Sequence, residues 1–184
     1  NSDIPRKSCN FAAMNTMGQT KEQLGIGISD GSLIPAIPVG EVMKIPINRL
    51  YFIMITDGSG VVEIDGHDIT VSKGSFIYML PHHLLTLCSH SDTFRTAYVC
   101  VTFDLLADFP LLLKAEMSDY VGNHPCCDLK DMDYEVLTKY HNLLADRYQS
   151  EYTGIEIVKG LVFSFIMEIN RIYSGRSVEV QATH

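Results

Sequence analysis

Apolar and polar positions change rhythm along this chain. From Arg49 to Phe103 the chain reads as strand after strand separated by sharp turns, with alternating apolar runs at its centre. Asp65-Gly66 sits between two such runs and predicts a type I′ hairpin, because that two-residue turn needs positive φ at both positions. The register that follows sets Ile64 opposite His67 and Val62 opposite Ile69. Glu63, Asp68 and Thr70 then point to the other face, toward water.

The flanking segments extend the β pattern. Leu24 to Ser29 alternates apolar residues with Gly and Ser, and Glu41 to Ile47 makes another short strand, ending at Pro46. Pro35 and Pro38 limit what lies between. Arg49 to Thr56 is apolar on both faces, as expected of a strand inside a sandwich or barrel. Phe76 to Leu80, Leu84 to Cys88 and Arg95 to Phe103 follow, divided by Ser72-Lys73-Gly74-Ser75, Pro81-His82-His83 and His90-Ser91-Asp92. Roughly eight strands at such spacing predict an antiparallel sandwich or barrel.

After Phe103 the period lengthens. A helix is expected through Leu111, Leu112, Leu113 and Met117, capped by Asp104 or Asp108, with Pro110 in its first turn. A second, Asp133 to Gln149, carries Val136, Leu137, Tyr140, Leu143, Leu144 and Tyr148 on one face. The third starts at a capping box, Thr153 to Glu156, and Gly175 is the expected stop. Val158, Val162, Phe165, Ile169 and Ile172 form its apolar stripe, together with Ile155. That stripe suits core packing and also a two-fold helix contact, and these five positions are the candidate dimerisation residues. The chain divides into an N-terminal arm (1–23), a β-barrel (24–103) and a helical segment (104–184) within one structural unit.

Composition narrows the function. Apolar residues make up 46% of the 184, enough for a core, and the net charge of −8 argues against this segment gripping a phosphate backbone. The five cysteines, Cys9, Cys88, Cys100, Cys126 and Cys127, show neither disulfide-framework nor C-x-x-C spacing. A reducing cytoplasm is the expected setting. No membrane-length apolar run and no signal peptide are present. A nucleophile elbow, a serine triad and a phosphate-binding loop are also missing.

The turns Gly58-Ser59-Gly60, Asp65-Gly66 and Gly74, leading to Pro81-His82-His83, resemble the double-motif core of a cupin barrel. More narrowly, residues 40 to 174 are similar to the N-terminal sensor domain of AraC-type transcription regulators. The stretch LYFIMITDGSGVVEIDGHDITVSKGSFIYMLPHHLLTL and the paired C-terminal helices carry that likeness. Metal-dependent cupins have two histidines and a carboxylate before the glycine matched by Gly58. Those slots fall near Lys44 to Ile47 and at Tyr51, and the second motif's histidine slot falls near Thr86. No metal set can be built from them, so no cofactor is expected.

The fold expected is mainly β with C-terminal helices, a cupin-like (jelly-roll) barrel followed by a helical hairpin. The resemblance implies an effector-sensing and dimerisation domain: a homodimer, a small-molecule effector in the barrel, and no enzyme activity. DNA contact is expected only through a helix-turn-helix domain, which would follow Ser174, so a fragment of a longer protein is expected. A metal-dependent cupin enzyme is the alternative, and a ligand-independent dimerisation module is a third reading. Candidate ligand contacts are Phe52, Met54, Tyr78, Thr86, Tyr98 and Cys100 on strands, with His82 and His83 at the rim. Which of the strand residues point inward, and whether the interior is filled or hollow, is left open at this point.

Overall fold

A computed structural model describes residues 25–29, 38–107, 115–150 and 154–182. The chain order is β1 (Ile26–Ile28), β2 (Val42–Lys44), β3 (Arg49–Asp57), β4 (Ser59–Ile64), β5 (His67–Ser72), β6 (Ser75–Met79), β7 (Leu84–His90) and β8 (Arg95–Thr102). Then come α1 (Phe103–Leu106), α2 (Ala115–Asn123), β9 (Cys126–Asp128), α3 (Asp131–Gln149) and α4 (Ile155–Ala182). The expected arm (1–23), Pro35, Asp108, Pro110 and Thr153 lie outside the described residues.

The strands build two antiparallel sheets, ordered β1-β8-β3-β6-β9 and β2-β7-β4-β5. Their pairings are nested around a single turn. β4 pairs β5, β3 pairs β6, β2 pairs β7 and β1 pairs β8, so the chain forms one long folded ribbon. Pairing of β3 with β8 and of β4 with β7 rolls that ribbon up. This is the strand order of a jelly roll, in which two sheets share one interior.

The turn at the ribbon's centre is Asp65-Gly66, with φ of 50° and 84°. Ile64 pairs with His67 and Val62 with Ile69, the register that the turn chemistry predicts. The Asp65 carboxylate accepts the Leu84 N–H at 2.8 Å and ties the hairpin tip to the start of β7. A second turn is fixed sterically. Gly58 has φ +70°, and a Cβ there would stand 2.5 Å from the Phe94 nitrogen. The 91–94 turn is held against it by Ser91 N–H donating to the Ser59 carbonyl at 2.8 Å and Ser59 N–H donating to Ser91 Oγ at 3.0 Å.

Two cores result, separated by the five-stranded sheet. On β3, Tyr51, Ile53 and Ile55 enter the barrel, while Leu50, Phe52 and Met54 face the helices. α3 and α4 pack on that outer face, where the Phe52 ring meets Phe165 at 6.1 Å and Tyr78 meets Tyr173 at 5.3 Å. Val158, Val162, Phe165, Ile169 and Ile172 are all buried in this second core. Their apolar surface is thus already used within the protomer, which corrects the expectation that these five form a contact between two copies.

Other details of the helical region also differ from expectation. Thr102, rather than Asp104, caps α1, accepting the Leu105 N–H at 3.4 Å. α3 buries Leu137, His141, Leu144 and Tyr148, while Leu143 is exposed. α4 runs through Gly175 to Ala182, since one interior glycine costs only ~1 kcal/mol in a helix. Arg176 in the continuing turn donates to the Asp128 carbonyl and so holds it to β9. β9 was not foreseen. It pairs with the edge of β6, reinforced by the Ser75 hydroxyl donating to the Asp128 carboxylate at 3.1 Å.

Gly58→Ala is expected to cost about 2 kcal/mol or more, from left-handed strain plus overlap with the Phe94 backbone. Gly66→Ala faces open space and should lose only the conformational part, about 1 kcal/mol. Urea unfolding of both variants checks the order. Equal losses would count against the close packing of the 91–94 turn.

Candidate functional site

The barrel interior is apolar along most of its length and polar at one end. Ile53, Ile55, Val62, Ile64, Leu85 and Leu87 are buried inside it. At the start of β3, Arg49 and Tyr51 share the inward side, and across the ladder Tyr51 pairs with Cys100. The positive charge of Arg49 acts on both the Tyr51 hydroxyl and the Cys100 thiol. Arg49 is only half-buried, so this end of the barrel reaches solvent. The Tyr98 ring lies 6.5 Å from that of Tyr51.

Burial governs the protonation of this cluster. It pushes the Tyr51 hydroxyl well above its ordinary range, and nearby Cys100 adds to the effect while Arg49 opposes it. Burial likewise raises the Cys100 thiol, against the pull of Arg49 and Tyr51. Both groups are therefore neutral at physiological pH, which leaves Arg49 as the charge of the cluster. On β9, burial and the neighbouring Cys127 and Asp128 push Cys126 up to about 12, and burial raises Cys127 too. Thiols held protonated in this way are poor nucleophiles.

The register separates the expected ligand contacts into groups. Tyr98 and Cys100 face the barrel interior. Phe52, Met54 and Tyr78 lie on the other side of the same sheet, under the helices, and cannot touch an occupant of the barrel. Thr86 stands between the inward Leu85 and Leu87 and so points outward from β7. His82 is exposed at φ 71°, and its N–H donates to the Ile45 carbonyl at 3.1 Å. His83 is buried, and its Nδ1 accepts the Leu80 N–H at 3.0 Å. Its Nε2, which then carries the proton in the neutral ring, lies 3.6 Å from the Asp65 carboxylate. These two histidines brace the rim between β2, β7 and the central hairpin.

Arg49 and Tyr51 are the site residues that hydropathy did not single out. The signal available was their shared parity with Ile53 and Ile55. It was masked because alternate positions on β3 are equally apolar. Among the described residues, no three His, Cys, Asp or Glu side chains gather as a metal site. Among them, too, no helix is long and apolar enough to cross a membrane.

A second buried polar group lies in the helix layer. His141 on α3 places Nε2 3.1 Å from the Ser29 hydroxyl, whose oxygen also accepts the Tyr98 N–H at 2.8 Å. Beside it, the Tyr148 hydroxyl donates to the Ile26 carbonyl at 2.9 Å. The two contacts clamp β1 between β8 and α3. Burial pulls the His141 imidazole below its usual range, so the folded protein holds it neutral.

No protein-family model and no curated protein sequence matches the chain. Solved structures that resemble it include both cupins and AraC-like regulators. The AraC-like transcriptional activator CuxR aligns at 11% identity over 94% of this chain and 68% of its own, with a TM-score of 0.49. Apo ToxT from Vibrio cholerae aligns at 12% identity over 75% of this chain and 54% of its own, also at 0.49. A cupin protein from Bacteroides fragilis aligns at 20% identity over 42% of this chain and 64% of its own, at 0.34. A predicted oxalate decarboxylase from Thermotoga maritima aligns at 16% identity over 36% of this chain and 60% of its own, at 0.32. The matched part of the chain thus spans only about half to two thirds of these proteins. The jelly-roll assignment stands on the strand order itself.

His141 makes stability depend on pH with a definite sign. Its folded pKa lies below the unfolded value of about 6.5, so the unfolded chain takes up the proton first. Its contribution is complete above pH 6.5 and declines as pH falls from there toward the folded pKa. The slope is at most ~1.4 kcal/mol per pH unit. His141→Gln should flatten the difference in unfolding free energy between pH 7 and pH 5. An unchanged pH profile in chemical denaturation would show that the clamp does not need a neutral ring.

Proposed function

We propose that this chain is the effector-sensing domain of an AraC-type transcription regulator, a metal-free cupin barrel whose small organic ligand acts on the helices packed behind it. The observation that carries this reading is the shared wall. β3, β6 and β8 place alternate side chains in the barrel and in the helix layer. A ligand pressing on Tyr51 or Tyr98 displaces strands that also carry Phe52, Tyr78 and Val99. Close-packed interiors pass such displacement on rather than absorbing it. The ligand can shift the domain only to the extent that it binds two arrangements with different affinity.

The resemblance of residues 40 to 174 to such sensor domains supports the same reading. Within it, DNA contact belongs to helix-turn-helix motifs in a longer protein, in keeping with the net charge of −8 here. A cytoplasmic location follows from that role. Homodimerisation is part of it too, and the burial of the α4 stripe limits where copies can meet. Met167 and Val178 are exposed on the opposite side of the helix. A two-fold contact through α4 is left with that face.

Two measurements test this. The reading frame beyond His184 should encode two helix-turn-helix motifs; a stop codon there would overturn the assignment. Elemental analysis of protein purified without chelator separates the reading from a cupin enzyme. Stoichiometric Fe, Mn, Ni or Zn in the barrel would favour the enzyme.

The helix assignment makes a further prediction. Met167→Glu should leave the thermal midpoint unchanged and give a monomer by light scattering. Ile169→Glu buries a carboxylate in the second core and should cost about 4 kcal/mol or more, destroying the fold. A folded Ile169→Glu monomer would reverse the inside and outside of this helix.

A further inference from the structure

The adjacent thiols of Cys126 and Cys127 lie on β9, the strand that closes one edge of the large sheet. Neighbouring residues of a paired strand project to opposite faces. Cys126, which pairs with Ile77, therefore packs against the barrel core, and Cys127, which pairs with Phe76, against the helix core. In that position the two cannot close a disulfide with each other. Both are free thiols and only partly buried. The strand that carries them is three residues long and is held at its two ends. At one end the Tyr78 N–H donates to the Pro125 carbonyl at 2.7 Å. At the other, the Leu129 N–H donates to the Gly74 carbonyl at 2.9 Å, and the Ser75 hydroxyl to the Asp128 carboxylate at 3.1 Å. Arg176 of α4 also donates to the Asp128 carbonyl, so β9 straps the far part of that helix to the sheet.

We propose that Cys126 and Cys127 are a modification site for small-molecule disulfides of the glutathione type, and that a mixed disulfide at either residue holds β9 off β6 and releases α4 from it. The proposal is independent of what the barrel binds. While β9 is paired, burial keeps both thiols protonated and poorly nucleophilic. A short edge strand opens locally more readily than the core strands beside it. Once it is open, the thiols return to the ordinary value of about 8.5 and a thiolate forms. The thiolate attacks one sulfur of RS–SR. An S–S bond forms to the cysteine, the RS–SR bond breaks, and RS⁻ leaves and takes up the proton that the cysteine lost. The cysteine sulfur is oxidised and the departing half is reduced. An excess of reduced thiol runs the same exchange backward. The added group is the size of a tripeptide, and neither close-packed core has room for it. The modified strand therefore stays out of the ladder until the thiol is restored.

The test incubates the whole 184-residue chain with oxidised glutathione, maps the adducts by peptide mass spectrometry and compares amide hydrogen exchange before and after. Cys126 and Cys127 should react in the folded chain, roughly 100-fold more slowly than in the chain unfolded by urea. Ser75→Ala removes one hydrogen bond from the closed strap. It should speed both cysteines by roughly 3- to 10-fold and leave Cys88, on the small sheet, unchanged. In the adduct the Tyr78 and Leu129 amides should lose protection, and dithiothreitol should restore it. The proposal is overturned if no adduct forms at either cysteine by the time the unfolded chain has reacted fully. It is overturned equally if both react as fast in the folded chain as in the unfolded one, or if an adduct leaves those two amides protected. Loss of protection throughout β3 and β8 would mean that the adduct unfolds the domain rather than releasing a strap, and the proposal would fail on that result too. Should Ser75→Ala fail to fold, the rates and the exchange measured on the unaltered chain still decide the matter.

Discussion

The structure depends on β3 being buried on both sides. Strands of an antiparallel sheet commonly show one face to water, and their sequences alternate accordingly. β3 does not alternate, because a barrel lies on one side of it and a helical hairpin on the other. Each aliphatic side chain removed from water is worth roughly 1.5 to 3 kcal/mol, and this strand collects that on both faces. Neither core is complete alone. Without the helices, Leu50, Phe52 and Met54 would form an exposed apolar patch; without the second sheet, Tyr51, Ile53 and Ile55 would do so.

The helices do more than cover. β1 is a strand of three residues, too short to hold its place by ladder bonds alone. Its backbone and the adjoining Ser29 are secured from α3 by Tyr148 and His141. An imidazole stands there in a row that otherwise reads Leu137, Leu144, Tyr148. An aliphatic side chain at that position would bury as well but leave the Ser29 hydroxyl without this partner. The opposite edge is covered by β9, which arrives from the helical segment. Both edges of the large sheet are thus finished by polar contacts from outside the jelly roll.

What was legible in the sequence follows from how local its cause is. Asp65-Gly66 declares a turn through backbone conformation, and the nested ribbon is built outward from that turn. The register of β4 and β5 could be read residue by residue for this reason. β9 could not, since Cys126–Asp128 has no local signature and exists through pairing with β6 some fifty positions earlier. Inside and outside on β3 and β6 were illegible because hydropathy carries no parity when both faces are dry. Phe52, Met54 and Tyr78 look the same in sequence whichever core they enter. The α4 stripe posed the same ambiguity. Its period tells that one face is buried, not whether the covering surface belongs to this protomer or to another.

The position of Tyr51 connects these strands of reasoning. Counting from Gly58, it occupies the slot where metal-dependent cupins carry a carboxylate, and its side chain does point into the barrel. The geometry of the slot is therefore kept while its charge is changed. A carboxylate there would attract a cation; burial keeps the Tyr51 phenol neutral, so it lacks that attraction. That change depends on β3 holding Tyr51 inward while Leu50 and Phe52 face the helices.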